Sequence, residues 1–339
     1  MQNPTTAKFA FIVHPRNLYD VYAKYPIFRC LPKLITEWVL RMLPPMKVGE
    51  ILVGTRVKGY IISIPLVSSQ ILSDPELAYE KIRHALKLSQ KYGAKIVGLG
   101  ALTSSITRGG EDLVGKVGIA ITNGNSLTAA VTYEAVKNLA ARYDKDLLKI
   151  RIAIIGATGS VGRAVTLLLV QNGAQNLLLV GKTRANLEES RKHISIHYHK
   201  DVSITTNLAR VVEADFVIVG TNAPDAFITS KHLRQGAIVY DITQPRNVSR
   251  DVKINRKDVR VIDGGIVTIP DIKPSPIFGL EGQSVFACVA ETILLTLEGN
   301  FQNFSIGKVQ VDDAKKIWQL AVKYNFTIAS FRSFGEPII

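Results

Sequence analysis

Two residue types in one short stretch could do covalent chemistry. Cys288 and Glu291 lie in Phe286-Ala-Cys-Val-Ala-Glu-Thr-Ile-Leu-Leu-Thr-Leu-Glu-Gly299. Val285, Val289, Ile293 and Leu297 recur every four residues and predict the packed stripe of a helix. Ser284, Cys288, Glu291 and Leu295 fall on a neighbouring stripe, which puts Cys288 off the centre of the apolar face. It also lies about one turn from the helix start, where peptide dipoles favour a thiolate. A thiolate there could attack an activated acyl group and expel its thiol. A hydride could then reduce the enzyme thioester to an aldehyde. Glu291, one turn on, could tune or orient the thiol, or form a salt bridge elsewhere. A helical cysteine between Phe286 and Val289 also suits plain packing, so the residue alone leaves both readings open.

A hydride source is suggested by Lys149 to Gly162. The apolar, β-branched run Ile152 to Ile155 reads as a buried strand. Gly156, Ala157, Thr158, Gly159, Ser160, Val161 and Gly162 follow, and then a helical pattern over Arg163 to Asn172. Strand, tight turn and helix N-terminus form the cradle of a dinucleotide pyrophosphate. The spacing is GxxGxxG, a variant of the common GxGxxG. The next strand, Asn176 to Val180, exits into Gly181, Lys182, Thr183 and Arg184, with no acid until Glu188. Two cations and a hydroxyl suit the ribose 2′-phosphate of NADP, and a plain basic loop is the alternative. Thr221 and Asn222 follow the strand Ala214 to Gly220 and could pass beside the nicotinamide ribose. Gly264 and Gly265 follow the strand Val259 to Ile262 and allow close backbone approach to a ligand, or simply a turn.

The elements that must position these residues are α/β in both halves. The 339 residues suit two domains, and 47% hydrophobic content predicts a sizeable core. Formal charge is +14, which favours acidic partners. The excess is spread along the chain without a basic, aromatic tract, so nucleic acid is not an expected partner. Two cysteines, Cys30 and Cys288, fit a reducing compartment. His193, His197 and His199 do not have zinc spacing, so no metal is expected. No signal peptide or membrane-spanning run is legible; a cytoplasmic location is expected, with peripheral membrane contact open.

In the first half, Phe9 to Val13 reads as a strand and His14 to Asn17 as the loop after it. Leu34, Ile35, Trp38, Val39 and Met42 have helical spacing with Arg29, Lys33 and Arg41 among them. They predict either a core helix with a basic face or an amphipathic helix over an acyl groove or membrane surface. Glu50 to Val67 reads as one or two strands, Pro75 to Tyr92 as a helix, and Lys95 to Gly100 as a strand. Thr103 to Gly110 reads as a polar loop and Val117 to Thr122 as another strand. Ser126 reads as the N-cap of a helix reaching Tyr143.

With these stretches in place, the chain resembles the cyanobacterial long-chain acyl-[acyl-carrier-protein] reductases and their relatives, often labelled amino acid dehydrogenases. Shared stretches are Pro44-Pro45 with Ile51 to Ile64, Gly98 to Ile106, Thr122 to Ala129, Gly156 to Gly162, Asp263 to Val267 and Phe286 to Gly299. The resemblance implies reduction of a fatty acyl group on acyl carrier protein or coenzyme A to a fatty aldehyde with NADPH, and implies that Cys288 accepts the acyl group. In that family the stretch after the paired glycines continues into His-Cys; here it continues Thr268-Ile269-Pro270, so that histidine is lacking.

The expected architecture is an NAD(P)-binding Rossmann domain with a second α/β substrate domain. Residues 1–145 would form the acyl-facing wall, with Thr103, Ser104, Ser105, Asn123 and Asn125 as donors to the thioester carbonyl or the nicotinamide ribose. Residues 146–280 would bind NADPH, and 281–339 would form a helical segment returning Cys288 to the cleft. The partners expected are a fatty acyl thioester and an acidic carrier protein. A shikimate- or amino-acid-like dehydrogenase without a covalent step is one rival. A non-catalytic NADPH-binding protein is the other.

Overall fold

The computed structural model describes residues 6–223, 225–273 and 278–338. Along the chain come β1 (Ala7–Val13), α1 (Leu18–Lys24), α2 (Lys33–Met42), β2 (Met46–Val53), β3 (Val57–Ser63), α3 (Ser68–Ser73), α4 (Pro75–Lys91), β4 (Ile96–Leu99), α5 (Leu102–Ile106) and β5 (Ala120–Thr122). Next come α6 (Asn125–Arg142), β6 (Ile152–Ile155), α7 (Ser160–Gln171), β7 (Leu177–Val180), α8 (Arg184–Tyr198), β8 (Ser203–Thr205), β9 (Phe216–Val219), β10 (Ile238–Asp241), α9 (Arg250–Asn255) and β11 (Arg260–Asp263). The main helices of the last stretch are α10 (Ala287–Leu297) and α11 (Val311–Lys323).

The chain forms two compact units. The first comprises residues up to Gly124, Val267–Gly307 and Leu320–Thr327. The second comprises Asn125–Ile266, Lys308–Gln319 and the stretch from Ile328 on. The division falls at residue 124 rather than near 145, for a packing reason. Ala129, Tyr133, Val136 and Leu139 of α6 share a core with Val165 and Leu168 of α7. α6 therefore belongs to the nucleotide-type unit. Ser126 is a buried residue inside α6, not its N-cap. The stretch expected as a polar loop is instead helical, as α5 and a 3-10 turn over Arg108–Leu113.

The first unit holds a six-stranded sheet ordered Ile272–Lys273, β2, β3, β1, β4, β5. β2 runs antiparallel to β3, while β1 pairs in parallel with β3 and β4, and β4 with β5. β1 reads Ala-Lys-Phe-Ala-Phe-Ile-Val and is buried on both faces, as a central parallel strand must be. Ala10 and Ile12 face the α4 side with Ile82 and Leu86. α10 packs on β1, β3 and β4. Gly98 makes that possible, because a Cβ there would lie 2.3 Å from both the Phe11 ring and Thr292 Oγ1.

The second unit holds six parallel strands ordered β11-β10-β9-β6-β7-β8. Counted from β8 by order of appearance, this is 3-2-1-4-5-6, the doubly wound nucleotide-binding topology. The order reverses between β6 and β9, and such switch points open a crevice at the strands' carboxyl ends. The four inner strands are short and almost entirely apolar, as expected with helices on both faces.

Replacing Gly98 by Ala should lower stability by about 1–3 kcal/mol through overpacking against Phe11 and Thr292. Thermal and denaturant unfolding would read this, and an unchanged midpoint would contradict the close seating of α10 on β4.

Candidate active site

The second unit builds a dinucleotide cradle from the β6–α7 turn. Gly156 takes φ +85°, and a Cβ on it would sit 2.1 Å from the Gly220 carbonyl oxygen. A Cβ on Gly162 would sit 2.2 Å from the Gly156 carbonyl oxygen. Both glycines are therefore required by close packing at the switch point. Gly159 differs: it is exposed, and only the Gly156 oxygen, at 3.2 Å, approaches its Cβ position. It caps α7, which starts at Ser160 rather than Arg163. Bare backbone at a helix N-terminus beside a switch point fits the pyrophosphate of a dinucleotide. Val161 packs against the core, and Thr158 is half-buried. Ser160 Oγ accepts a hydrogen bond from Val309 N–H at 3.1 Å, so this hydroxyl already holds the returning chain.

Lys182, Thr183 and Arg184 are exposed at the β7 exit. Thr183 precedes α8, which the sequence reading had not resolved as a helix, and Arg184 opens it. The Arg184 guanidinium donates from Nε (3.0 Å) and Nη2 (2.7 Å) to Glu188 one turn on. An exposed pair of this kind contributes little to stability, so the guanidinium can exchange Glu188 for a phosphate at small cost.

Asp241, at the end of β10, orders the loops on the other side of the switch point. Its buried carboxylate accepts from Thr243 N (2.9 Å), Thr243 Oγ1 (2.5 Å), Asn247 N (3.0 Å) and Val248 N (3.1 Å). Burial pushes its carboxyl above the ordinary range, although these donors act against the shift. Asn247 in turn holds the Thr221 loop: Thr221 Oγ1 donates to Asn247 Oδ1 at 2.5 Å, and Asn247 Nδ2 donates to the Ala223 oxygen at 3.0 Å. Asn222 is exposed on that loop. Sequence reasoning missed Asn247, because no local spacing connects it to Thr221. Gly264 and Gly265 are both buried. A Cβ on Gly264 would meet Tyr240 and Ile242 at 2.7 Å, and Gly265 N donates to Tyr240 Oη at 3.1 Å. The small size of Gly264 is thus used against Tyr240 and Ile242, while Gly265 takes φ +69°. Asp263 pairs bidentately with Arg246 (2.7 and 2.8 Å) and accepts from the backbone of Phe334 and Gly335.

The first unit positions Cys288 as the second residue of α10. From Ala287 to Thr296 it is the one residue that is not buried. Glu291 and Leu295 are as buried as Val289 and Ile293, so the two-stripe expectation gives way to a helix enclosed on nearly all sides. Gly124, at φ +73°, lies against the helix start: a Cβ there would be 2.4 Å from both Cα and Cβ of Cys288. Gly124 N donates to Thr122 Oγ1 at 3.3 Å, and the Thr122 hydroxyl donates to the buried Glu291 carboxylate. Glu291 therefore anchors the turn that touches Cys288.

The thiol itself is not the expected low-pKa thiolate. Burial pushes it up to about 12, and the Glu291 carboxylate adds in the same direction. Desolvation outweighs the helix N-terminus here. The other expected donors differ in burial and in hydrogen-bond partners. Thr103 is buried and donates to the Gly100 oxygen at 2.7 Å. Asn123 is buried, and its Nδ2 donates to the oxygens of Gly109 (3.1 Å) and Gly307 (3.3 Å). Both are structural ties rather than free carbonyl-binding donors. Ser104 is buried on α5, Ser105 is exposed, and Asn125 begins α6 in the second unit.

His14 was read only as loop, but its position right after β1, at a strand carboxyl end, was the available signal. Its Nδ1 faces the Pro15 oxygen at 3.0 Å and its Nε2 faces Leu102 N at 3.3 Å, which sets Nδ1 as the protonated nitrogen. Burial holds its pKa below the usual histidine range. Among the described residues, no three His, Cys, Asp or Glu side chains group as a metal set, and no helix is long and apolar enough to cross a membrane.

Comparison with known proteins agrees with this geometry at the level of fold. Residues 138–272 match the family model described as shikimate / quinate 5-dehydrogenase. The chain is 29% identical over 351 aligned residues to the aminotransferase PigE of Serratia sp., covering 98% of this chain but only 41% of that protein's length. It is 27% identical over 308 residues to a long-chain acyl-[acyl-carrier-protein] reductase of Synechococcus elongatus, covering 84% of this chain and 87% of the relative. Among solved structures, quinate dehydrogenase from Corynebacterium glutamicum in complex with NAD aligns at 13% identity with a TM-score of 0.39, over 75% of this chain and 87% of that one. The strand order of the second unit and the family match over 138–272 agree on an NAD(P)-type Rossmann fold.

In a Cys30→Ser background, alkylation of Cys288 by iodoacetamide should be slow at neutral pH and still rising at pH 10. A thiol with a pKa of about 12 stays protonated below that value, unlike an ordinary thiol near about 8.5. A rate that levels off near neutral pH would contradict the burial-driven shift.

Proposed function

We infer that the protein reduces a long-chain fatty acyl thioester to an aldehyde, with Cys288 as acyl acceptor and NADPH as reductant. The observation that carries this reading is Cys288 itself: the one half-buried position between Ala287 and Thr296, backed by a glycine that permits no side chain. The 27% identity to the Synechococcus acyl reductase over most of both chains supports it.

Burial keeps the Cys288 thiol protonated, so acyl transfer requires its proton and the acyl group to trade places. The Cys288 sulfur bonds to the acyl carbon as the carrier's carbon–sulfur bond breaks, and the proton passes from Cys288 to the departing carrier sulfur. A protonated, half-buried thiol is also poorly reactive towards oxidants before substrate arrives. Glu291 is a positioning residue here: through Thr122 it fixes the Gly124 turn against the helix start. When bound, the nicotinamide would supply the hydride that converts the Cys288 thioester to aldehyde. Gly156, Gly159 and Gly162 would accept its pyrophosphate, and Lys182, Thr183 and Arg184 the 2′-phosphate that distinguishes NADPH. The formal charge of +14 favours an acidic carrier protein over a neutral one.

A second reading has its own support. The protonated thiol and the shikimate / quinate 5-dehydrogenase match over 138–272 favour a dehydrogenase with no covalent step.

Incubation with a long-chain acyl thioester without NADPH should add an acyl mass to Cys288, which NADPH then removes with release of aldehyde. Cys288→Ser should abolish this turnover. Retained activity in that variant would decide for the non-covalent dehydrogenase. Lys182→Glu with Arg184→Glu should weaken NADPH binding by at least about tenfold while leaving NADH nearly unaffected, from loss of charge-assisted phosphate contacts. Equal losses for both cofactors would place the 2′-phosphate elsewhere.

A further inference from the structure

The segment from α1 to α2 turns its apolar residues the wrong way for a globular fold. α2 buries Thr36 and Leu40. Polar contacts hold its inner side: Gln70 Nε2 donates to the Glu37 oxygen at 2.7 Å, Lys81 Nζ donates to the Leu43 oxygen, and Arg41 pairs with Asp74. Leu34, Trp38 and Met42, successive at four-residue spacing, are 78%, 62% and 69% exposed, and Ile35 beside them is also exposed. Ile27, 73% exposed, and Leu31 extend this stripe toward α1, where Tyr19 and Tyr25 are exposed as well. Water-facing apolar side chains in this number, on one short segment, lose free energy unless something covers them.

Charge and chemistry select the cover. Residues 19–42 carry Lys24, Arg29, Lys33 and Arg41 against Asp20 and Glu37, a net 4 − 2 = +2, in a chain of +14. Asp20 is paired with Arg16, Arg41 with Asp74, and Lys33 lies 3.8 Å from Glu37, so Lys24 and Arg29 stand outside these pairs. Arg29 and Lys33 flank the apolar stripe. A narrow ridge of Leu, Ile, Met and Trp, rimmed by cations and tyrosines, has the composition of a helix lying in a membrane interface. α2 has ten residues and cannot span a bilayer. We propose that this ridge is an interfacial anchor that docks the protein on an anionic lipid surface, with Leu34, Ile35, Trp38 and Met42 among the acyl chains and Arg29 and Lys33 at the headgroups. The assignment does not depend on the reaction that the protein catalyses.

Flotation of the full chain with vesicles tests it. The protein should rise with vesicles of equal parts phosphatidylcholine and phosphatidylglycerol, not with phosphatidylcholine alone, and high salt should weaken the binding. Leu34→Ser with Trp38→Ser should reduce binding at least about tenfold, since both side chains bury only on the membrane. Both sites are exposed in the free protein, so the variant should keep the wild-type unfolding midpoint. An environment-sensitive fluorophore on Leu34→Cys, in a Cys30→Ser background, should shift to the blue on adding anionic vesicles. Failure to float at low salt, undiminished flotation of the double variant, or an unshifted fluorophore would each overturn the proposal. So would a concentration-dependent dimer that the double substitution dissociates, because a second copy would then be the cover.

Discussion

A helix enclosed on nearly all sides needs a floor without side chains, and the first unit depends on that constraint. α10 carries Val289, Ile293 and Leu294 into full burial and brings Glu291 with them. It can approach β4 only because Gly98 leaves room for Thr292, and its first turn can meet the end of β5 only because Gly124 leaves room for Cys288. The carboxylate taken inside is not wasted. It receives the Thr122 hydroxyl and so ties the helix to the turn that touches its start. Packing and site geometry are here the same set of contacts, and a side chain added at either glycine would disturb both.

The second unit solves a parallel problem with a charge. Parallel strands end in loops that have no ladder to order them. Asp241 gathers the backbone of Thr243, Asn247 and Val248 round one buried carboxylate, and Asn247 passes that order on to the Thr221 loop. Removing the acid would strand several buried N–H groups together, which costs more than any one hydrogen bond contributes. On the glycine side of the same sheet, order comes from contact instead: Gly156 touches the Gly220 carbonyl and Gly162 touches Gly156.

Much of this was legible in the sequence where the determinants are local. The run from Ile152 to Gly162 specified strand, turn and helix because each glycine answers a steric demand within a few residues. The helix begun by Pro75 and the short apolar strands of the second unit were read for the same reason. What failed depended on distant partners. The division of the chain fell at Gly124 because α6 finds its core in α7, which no property of α6 alone reveals. The thiolate that a helix start favours at Cys288 is opposed by burial, because a helix start is visible in sequence and desolvation is not. Thr103 and Asn123 looked like free donors, and only the fold shows their hydrogens spent on Gly100, Gly109 and Gly307.

The first unit is assembled from three separate stretches of chain, and this has a consequence for the order in which it can be made. β1, β3 and β4 are complete by Leu99, yet the helix that covers one of their faces begins at Ala287, after nearly all of the second unit. During synthesis the face lined by Phe11 and Gly98 must wait bare while the nucleotide-type sheet is translated. Contacts of such long sequence separation form slowly, and an unfinished apolar sheet invites association with other chains. The first unit is therefore complete only once α10 has been made and covers the face lined by Phe11 and Gly98.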